Sequence, residues 1–353
     1  EYKMKDLDYI IVGCGLAGIA FCEQLRKAKK SFVVFDNDSQ KSSSVAAGLY
    51  NPVILKRFTP AWMAKQQLNL AIPHYNKLES FLNLKINYPI SVHRKFTSVE
   101  EQNEWHVASD KPILSEFMDT VILKNNNPAV NAPYGFGKVL HSGRVHTQKL
   151  IEAYRDCLRT NGSFMDEGFE HQSLIVSPEG ISYKNINSRH LVFSEGFGAK
   201  QNPFFKELPL VGLKGEMLVI KAPGLKLDFI IKSSVFVVPM GQDLYWIGAT
   251  YNRDDKTHDV SEKGQTQLLS KLKSVINCEF EIVKQTAGIR PTTKDRRPLV
   301  GESPNNNNVF LLNGMGTRGV MIAPFIAEQL FNHIEFSEKL NPEIDLKRFK
   351  AFK

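Results

Sequence analysis

A chain of 353 residues is long enough for two domains or one large one, and 42% hydrophobic residues is ordinary for a soluble globular protein and implies no disorder. The net charge of +8 comes from Lys and Arg scattered among Asp and Glu, the pattern of a solvated surface and not of a nucleic-acid patch. Cys14, Cys22, Cys157 and Cys278 form no C-x-x-C pair and no metal-ligand spacing, so they read as free thiols in a reducing compartment, with no metal site. No apolar signal segment precedes the first strand and the longest apolar runs are of strand length; a cytoplasmic protein with no membrane span is expected.

Tyr9-Ile10-Ile11-Val12 runs directly into Gly13-Cys14-Gly15-Leu16-Ala17-Gly18 and a helix-like stretch. In such a strand, turn and helix unit the three glycines have separable jobs. Gly13 makes the tight turn, Gly15 lets a pyrophosphate approach the backbone, and Gly18 lets helix and strand pack closely. The free N–H groups of the first helical turn favour a bound anion. Ser31 to Phe35 reads as a second parallel strand ending in Asp36, where a carboxylate can accept both ribose hydroxyls of an adenosine and would repel a 2′-phosphate.

Ser39 to Pro52 is a polar, small-residue connection, equally readable as a plain loop or as a place where backbone amides approach a cofactor. Ala61 to Leu82 has helical spacing, and Tyr88 to Phe96 alternates like a strand. Ser98-Val-Glu-Glu is a capping-box pattern opening a short helix that reaches Trp105, and Ile122 to Pro133 reads as loop. Gly135 to His146 is strand-like, and Thr147 to Asn161 is an amphipathic helix. Short strands are then expected at Leu174–Val176, Gly180–Tyr183 and from His190 to Gly196. Four more, starting at Gly215, Phe229, Val235 and Leu244, suggest an antiparallel sheet. Ser261 to Val275 is helical. Val309 to Asn313 is a buried-strand candidate leading through Gly314-Met-Gly-Thr-Arg-Gly into an apolar helix from about Val320 to Ile334.

Four blocks in this order resemble the D-amino-acid oxidase family of FAD-dependent amine oxidoreductases. They are the N-terminal fingerprint with Asp36, the Ser44-to-Pro52 loop, Ala287-Gly-Ile-Arg-Pro-Thr-Thr-Lys-Asp-Arg-Arg-Pro-Leu-Val-Gly, and Asn313-Gly-Met-Gly-Thr-Arg-Gly-Val-Met-Ile-Ala-Pro. The last block looks closest to the oxidoreductase domain of a bifunctional wobble-uridine tRNA-modification protein. The methyltransferase partner of that domain is not among these residues, which ranks tRNA below a small amine as the expected partner.

The resemblance implies an α/β fold with a discontinuous, Rossmann-like FAD-binding domain (1–85, 140–205 and 290–353). A second α+β substrate domain (86–139 and 206–289) is built on an antiparallel sheet that roofs the flavin. Gly13, Gly15, Leu16, Ala17 and Gly18 are then expected at the pyrophosphate and Asp36 at the adenosine ribose. Ser44, Ala46, Ala47 and Gly48 are expected along the pyrophosphate and flavin edge. Gly314, Gly316, Thr317, Arg318, Gly319 and Val320 are expected to set N–H dipoles against the flavin rim where negative charge develops. Arg290 stands where relatives clamp a substrate carboxylate, the alternative being a salt bridge to Asp295 or Asp254. Arg318, Lys56 and Arg57 are further candidate cations for the site. Tyr50, Phe236 and Trp246 are candidate pocket walls, and His93 and Arg94 count only if their strand borders the pocket.

The implied activity is oxidation of the C–N bond of a small amine or amino acid, by hydride transfer to flavin N5 and hydrolysis of the imine, with O2 or another electron acceptor. The alternatives are tRNA wobble-uridine carboxymethylaminomethyl oxidation and 2-hydroxy-acid dehydrogenation, the latter calling for a histidine base. The third block carries Arg290-Pro291 and no cysteine, so non-covalent FAD is expected. The absence of a second glycine fingerprint sets aside a pyridine-nucleotide disulfide reductase.

Overall fold

Tyr9 to Val12 are fully buried while Lys5 and Asp6 are exposed, as expected for a strand that enters a sheet covered on both faces. In the computed structural model, which describes residues 5–353, that strand (Lys5–Val12) lies at the centre of a parallel array. It pairs with Phe32–Phe35 on one side and Ile186–Phe193 on the other. Phe164–Met165 and Asn306–Asn313 extend the array in parallel, and Leu174–Ser177 and Gly180–Tyr183 add an antiparallel meander. Helix α1 (Leu16–Lys27) follows the first glycine turn. It lies beside the C-terminal helix Gly319–Phe336, with Phe21 and Phe331 in edge contact at 6.5 Å.

The second large sheet runs in the order Glu281–Thr293, Leu210–Lys221, Leu244–Gly248, Phe236–Gly241, Ile230–Lys232, Val92–Lys95, Phe136–Val139 and Met118–Leu123. All its pairings are antiparallel except that of Ile230–Lys232 with Val92–Lys95. The period of two divides its side chains cleanly. Leu218, Val237 and Ile247 face Leu268 and Leu272 of the helix Glu262–Lys273, whereas Met217, Val238 and Trp246 join the core shared with the first sheet. A three-stranded sheet of Leu49–Tyr50, Gly143–Val145 and Asn87–Tyr88 lies at the seam.

This is the expected α/β class with a Rossmann-like part and a second sheet. Ser98 caps the helix Val99–Ser109 by accepting from the Glu101 N–H, and that helix runs past Trp105. Three local readings differ. The expected loop from Ile122 loses its first residues to the strand Met118–Leu123. Gly135 to His146 splits into Phe136–Val139 and Gly143–Val145, in different sheets. The 13-residue strand Glu281–Thr293, which carries Arg290, has no counterpart among the expected elements. Residues 1–4 of the expected first domain segment lie outside the described residues.

Candidate active site

A cavity of about 630 Å³ opens between the two sheets. One end is built by the first glycine turn. Gly13 has φ +101°, and a Cβ there would stand 2.4 Å from the Ser194 carbonyl oxygen. A Cβ on Gly18 would stand 2.0 Å from the Gly13 carbonyl oxygen, so Gly18 serves the packing and does not line the cavity. At Gly15 the nearest neighbour would be the Ser43 hydroxyl at 3.1 Å, so what this glycine provides is space. The Gly13 N–H donates to Phe35 (2.8 Å) and the Cys14 N–H to Asp36 Oδ2 (2.5 Å). The N–H groups of Gly15 and Ala17 have no acceptor among the described residues.

Asp36 also accepts from the Asp38 N–H (2.6 Å) and pairs with Arg155 Nη2 at 3.2 Å. Arg155 comes from the helix Thr147–Thr160, lines the cavity, and was not singled out in the sequence. Glu195 lies against the same turn. Burial pushes its carboxyl up to about 7, opposed by the hydrogen bond it accepts from Asn202 Nδ2 (2.8 Å).

Toward the other end, residues Ser42 to Leu49 form one wall. Their carbonyls are held by three side chains from three elements: Trp246 Nε1 donates to Val45 (3.1 Å), Thr147 Oγ1 to Ala46 (3.2 Å) and Arg144 Nε to Ala47 (3.3 Å). The turn from Gly314 forms another part of the lining. The Gly316 N–H donates to Pro291 (2.9 Å), which ties the turn to the strand carrying Arg290. Gly316, Thr317, Gly319 and Val320 line the cavity, and the last three donate to no acceptor among the described residues. Gly314 (φ +75°) supports them from behind, against Leu299.

Arg290 lines the cavity with Phe236, Trp246, Met217 and Tyr251. Its guanidinium lies 5.1 Å from the Tyr251 ring centre, and its Nη1 is buried without a hydrogen-bond partner among the described residues. Burial lowers its pKa, with Tyr251 opposing. Asp295 instead takes Arg348 (2.9 Å), and no salt bridge forms at Arg290 among the described residues. Room for the guanidinium is made by Gly215 on the neighbouring strand, where a Cβ would stand 2.2 Å from Nη2. Arg318 is set differently. Burial lowers it to about 10, its Nη1 donates to the Asn51 carbonyl (2.6 Å), and it lies outside the cavity lining.

Several expected residues fall elsewhere. Lys56 and Arg57 are exposed on the tip of the hairpin Val53–Ile54/Thr59–Pro60, because Val53, Leu55 and Phe58 take its inward face, Phe58 on Trp105. Tyr50 is buried behind the wall and donates to Asn87 Oδ1 (3.0 Å). His93 stacks on Phe229 (4.1 Å) away from the cavity, and Arg94 pairs with Glu101. The only histidine lining the cavity among the described residues is His171, stacked on Phe193 and 3.8 Å from Glu195.

Two helix N-termini with unpaired donors, an acid at the end of the second strand and an apolar roof form a cradle for an anionic dinucleotide with a small cavity beyond it. That defines the class: a two-sheet α/β dinucleotide protein with its ligand space between the sheets. A family model described as DAO, FAD dependent oxidoreductase, matches residues 8–332, and the chain belongs to that family, whose cofactor is FAD. Glycine oxidase of Bacillus subtilis is 21% identical over 347 residues, covering 91% of this chain and 90% of that protein. The tRNA 5-methylaminomethyl-2-thiouridine biosynthesis bifunctional protein MnmC of Campylobacter jejuni is 26% identical over 162 residues, 44% of this chain; the chain thus spans a quarter (25%) of that relative's length. Among solved structures, glycine oxidase from Geobacillus kaustophilus superposes with a TM-score of 0.82 at 20% identity, covering 99% of both chains. Iminodiacetate oxidase from Chelativorans sp. BNC1 gives 0.79 at 15% identity over 95% of this chain and 97% of that one. No helix among the described residues is long and apolar enough to cross a membrane.

Proposed function

We propose that this protein oxidises the C–N bond of a small carboxylated amine, of the glycine, sarcosine or D-amino-acid type. One observation carries the reading: Arg290, half-buried on the cavity wall, has a buried Nη1 with no hydrogen-bond partner and no salt bridge among the described residues. A buried cation left unpaired is costly, and a ligand carboxylate meeting it with two parallel hydrogen bonds offsets that cost. When bound, FAD supplies the acceptor for the two electrons that leave the amine. Gly13, Gly15, Leu16 and Ala17 hold its pyrophosphate, Asp36 its adenosine ribose, and the Ser44 to Gly48 wall with the Gly316 to Val320 turn its flavin. No cysteine lines the cavity among the described residues, in keeping with non-covalent FAD.

Arg290 fixes the substrate by its carboxylate, and Phe236, Trp246 and Met217 exclude water from the carbon that is oxidised. Such a site needs no side-chain base for a neutral amine. A 2-hydroxy acid would need one, and His171, the only histidine on the cavity lining among the described residues, stacks on Phe193 by the first glycine turn and not beside Arg290, which disfavours that alternative. A second reading, oxidation of the carboxymethylaminomethyl group of a tRNA wobble uridine, is favoured by the local identity to the bifunctional relative. Its substrate would present the same amine and carboxylate to Arg290.

The test is the visible spectrum of the FAD-loaded protein under anaerobic conditions, before and after separate additions of glycine, sarcosine, proline and D-amino acids. Bleaching by at least one of them, and not by methylamine, is expected. Bleaching by none, together with salt-sensitive tRNA binding, would replace the first reading by the second.

A further inference from the structure

We infer that Arg155 is a positioning residue for the cofactor: it orients and neutralises Asp36, so that this carboxylate can stand beside a pyrophosphate dianion and accept the ribose hydroxyls. The inference rests on the proposal that the Gly13-to-Asp36 end takes the adenosine half of FAD. Asp36 lines that end of the cavity, and Asp38, whose N–H donates to it, adds a second negative charge beside it. Arg155 bridges them, with Nη2 at 3.2 Å from Asp36 Oδ1 and Nη1 at 2.9 Å from Asp38 Oδ1. Lys41 pairs with Asp38 from the solvent side, so the four groups sum to no net charge.

Without Arg155 the cluster would carry a net negative charge next to the turn that receives the phosphates, and at this degree of burial such repulsion is weakly screened. Both Asp36 and Arg155 side chains are only 13% exposed. Arg155 follows Ile151 by one helical turn and both line the cavity, so the helix Thr147–Thr160 presents this face to it. Its Nε is buried with no hydrogen-bond partner among the described residues, a donor still available to a ligand oxygen. Arg159, one turn further on, makes the contrast: it is 42% exposed, pairs with Asp156 and Asp166, and lies outside the cavity lining.

The test is titration of the FAD-free protein with FAD, followed by flavin fluorescence, and with ADP by displacement. Arg155→Met is expected to weaken both ligands roughly tenfold, and Arg155→Lys to recover part of the loss, since an ammonium keeps the charge but not the bridging fork. In an Asp36→Asn background the same Arg155→Met change is expected to alter FAD affinity by less than about twofold, a coupling that a merely structural arginine would not give. Gly15→Val, which fills the space at the turn, serves as the control. If Gly15→Val abolishes binding while Arg155→Met binds FAD as the wild type does, the inference about Arg155 falls and the site assignment stands. If Gly15→Val binds FAD normally, the site assignment falls as well. Should Arg155→Met not fold, Arg155→Lys with and without Asp36→Asn reads the same coupling, and equal FAD affinity of wild type and Arg155→Lys overturns the inference.

Discussion

The two ends of the cavity are built on different principles. At the first glycine turn the structure is made by backbone: Gly13 and Gly18 are required by carbonyl oxygens 2.4 and 2.0 Å from where a Cβ would be, and Asp36 is fixed by two N–H donors from its own neighbourhood. At Arg290 it is made by side chains from distant strands, with Gly215 giving room and Tyr251, Trp246 and Phe236 forming walls. Short segments of chain that close on themselves produce a site whose open donors are mainly backbone N–H groups, those of Gly15 and Ala17, set in place before any ligand arrives. A site assembled across a sheet instead leaves a buried guanidinium atom unmatched, and the proposed carboxylate clamp rests on that atom.

The sharpest way to break the first end is Gly18→Ala. The added methyl meets backbone, not a flexible side chain, so helix α1 must move off the strand Lys5–Val12. A loss of about 3 kcal/mol of stability is expected, measured by denaturant unfolding of the FAD-free protein. At the second end Arg290→Ala should leave stability unchanged or slightly raised, because an unpaired buried cation is removed. The affinity for a carboxylated amine, read from anaerobic flavin bleaching, should fall about a hundredfold, with partial recovery in Arg290→Lys. Equal bleaching at equal substrate concentration in wild type and Arg290→Ala would end the clamp assignment.

This contrast also explains what could be read from sequence. The Tyr9-to-Asp36 unit was legible because every part of it lies within one strand, turn, helix and strand, each with its own local signal. The strand Glu281–Thr293 was not, because it pairs on one side only. Its first four residues are exposed, so no alternation marks them, and Pro291 is tolerated at a sheet edge. Arg155 resembled any charged residue on an amphipathic helix, and only the packing of that helix brings it to Asp36. Lys56 and Arg57 misled for the reverse reason: nearness in sequence to the cavity wall says nothing of which way a hairpin turns its side chains.

A smaller effect separates the two ends by pH. Glu195 titrates near 7 in the folded protein against an ordinary 4.5, because burial disfavours its charge, and His171 beside it is kept toward the neutral form by burial as well. A raised carboxyl pKa means that the folded state holds its proton longer than the unfolded one. The stability it contributes is therefore present below pH 4.5 and lost as pH rises through about 7. Unfolding measured across that range should show a decline of about 2 kcal/mol in wild type that is flattened in Glu195→Gln. Arg290→Ala should keep the wild-type slope.

Gly215→Ala probes the second end most gently. The new methyl would fall 2.2 Å from Arg290 Nη2 and within 2.6 Å of Nη1 and Cζ, so the guanidinium must shift while the strand Leu210–Lys221 can stay where it is. What yields is the tip of a flexible side chain, and stability should change by less than about 1 kcal/mol. The displaced guanidinium keeps its charge but loses the geometry for two parallel hydrogen bonds, and substrate affinity should fall about tenfold, between wild type and Arg290→Ala. Combining the two substitutions decides whether they act on one interaction. With Arg290 already truncated, Gly215→Ala has nothing left to displace and should cost no further affinity, whereas additive losses would place the effect of Gly215 elsewhere on the sheet.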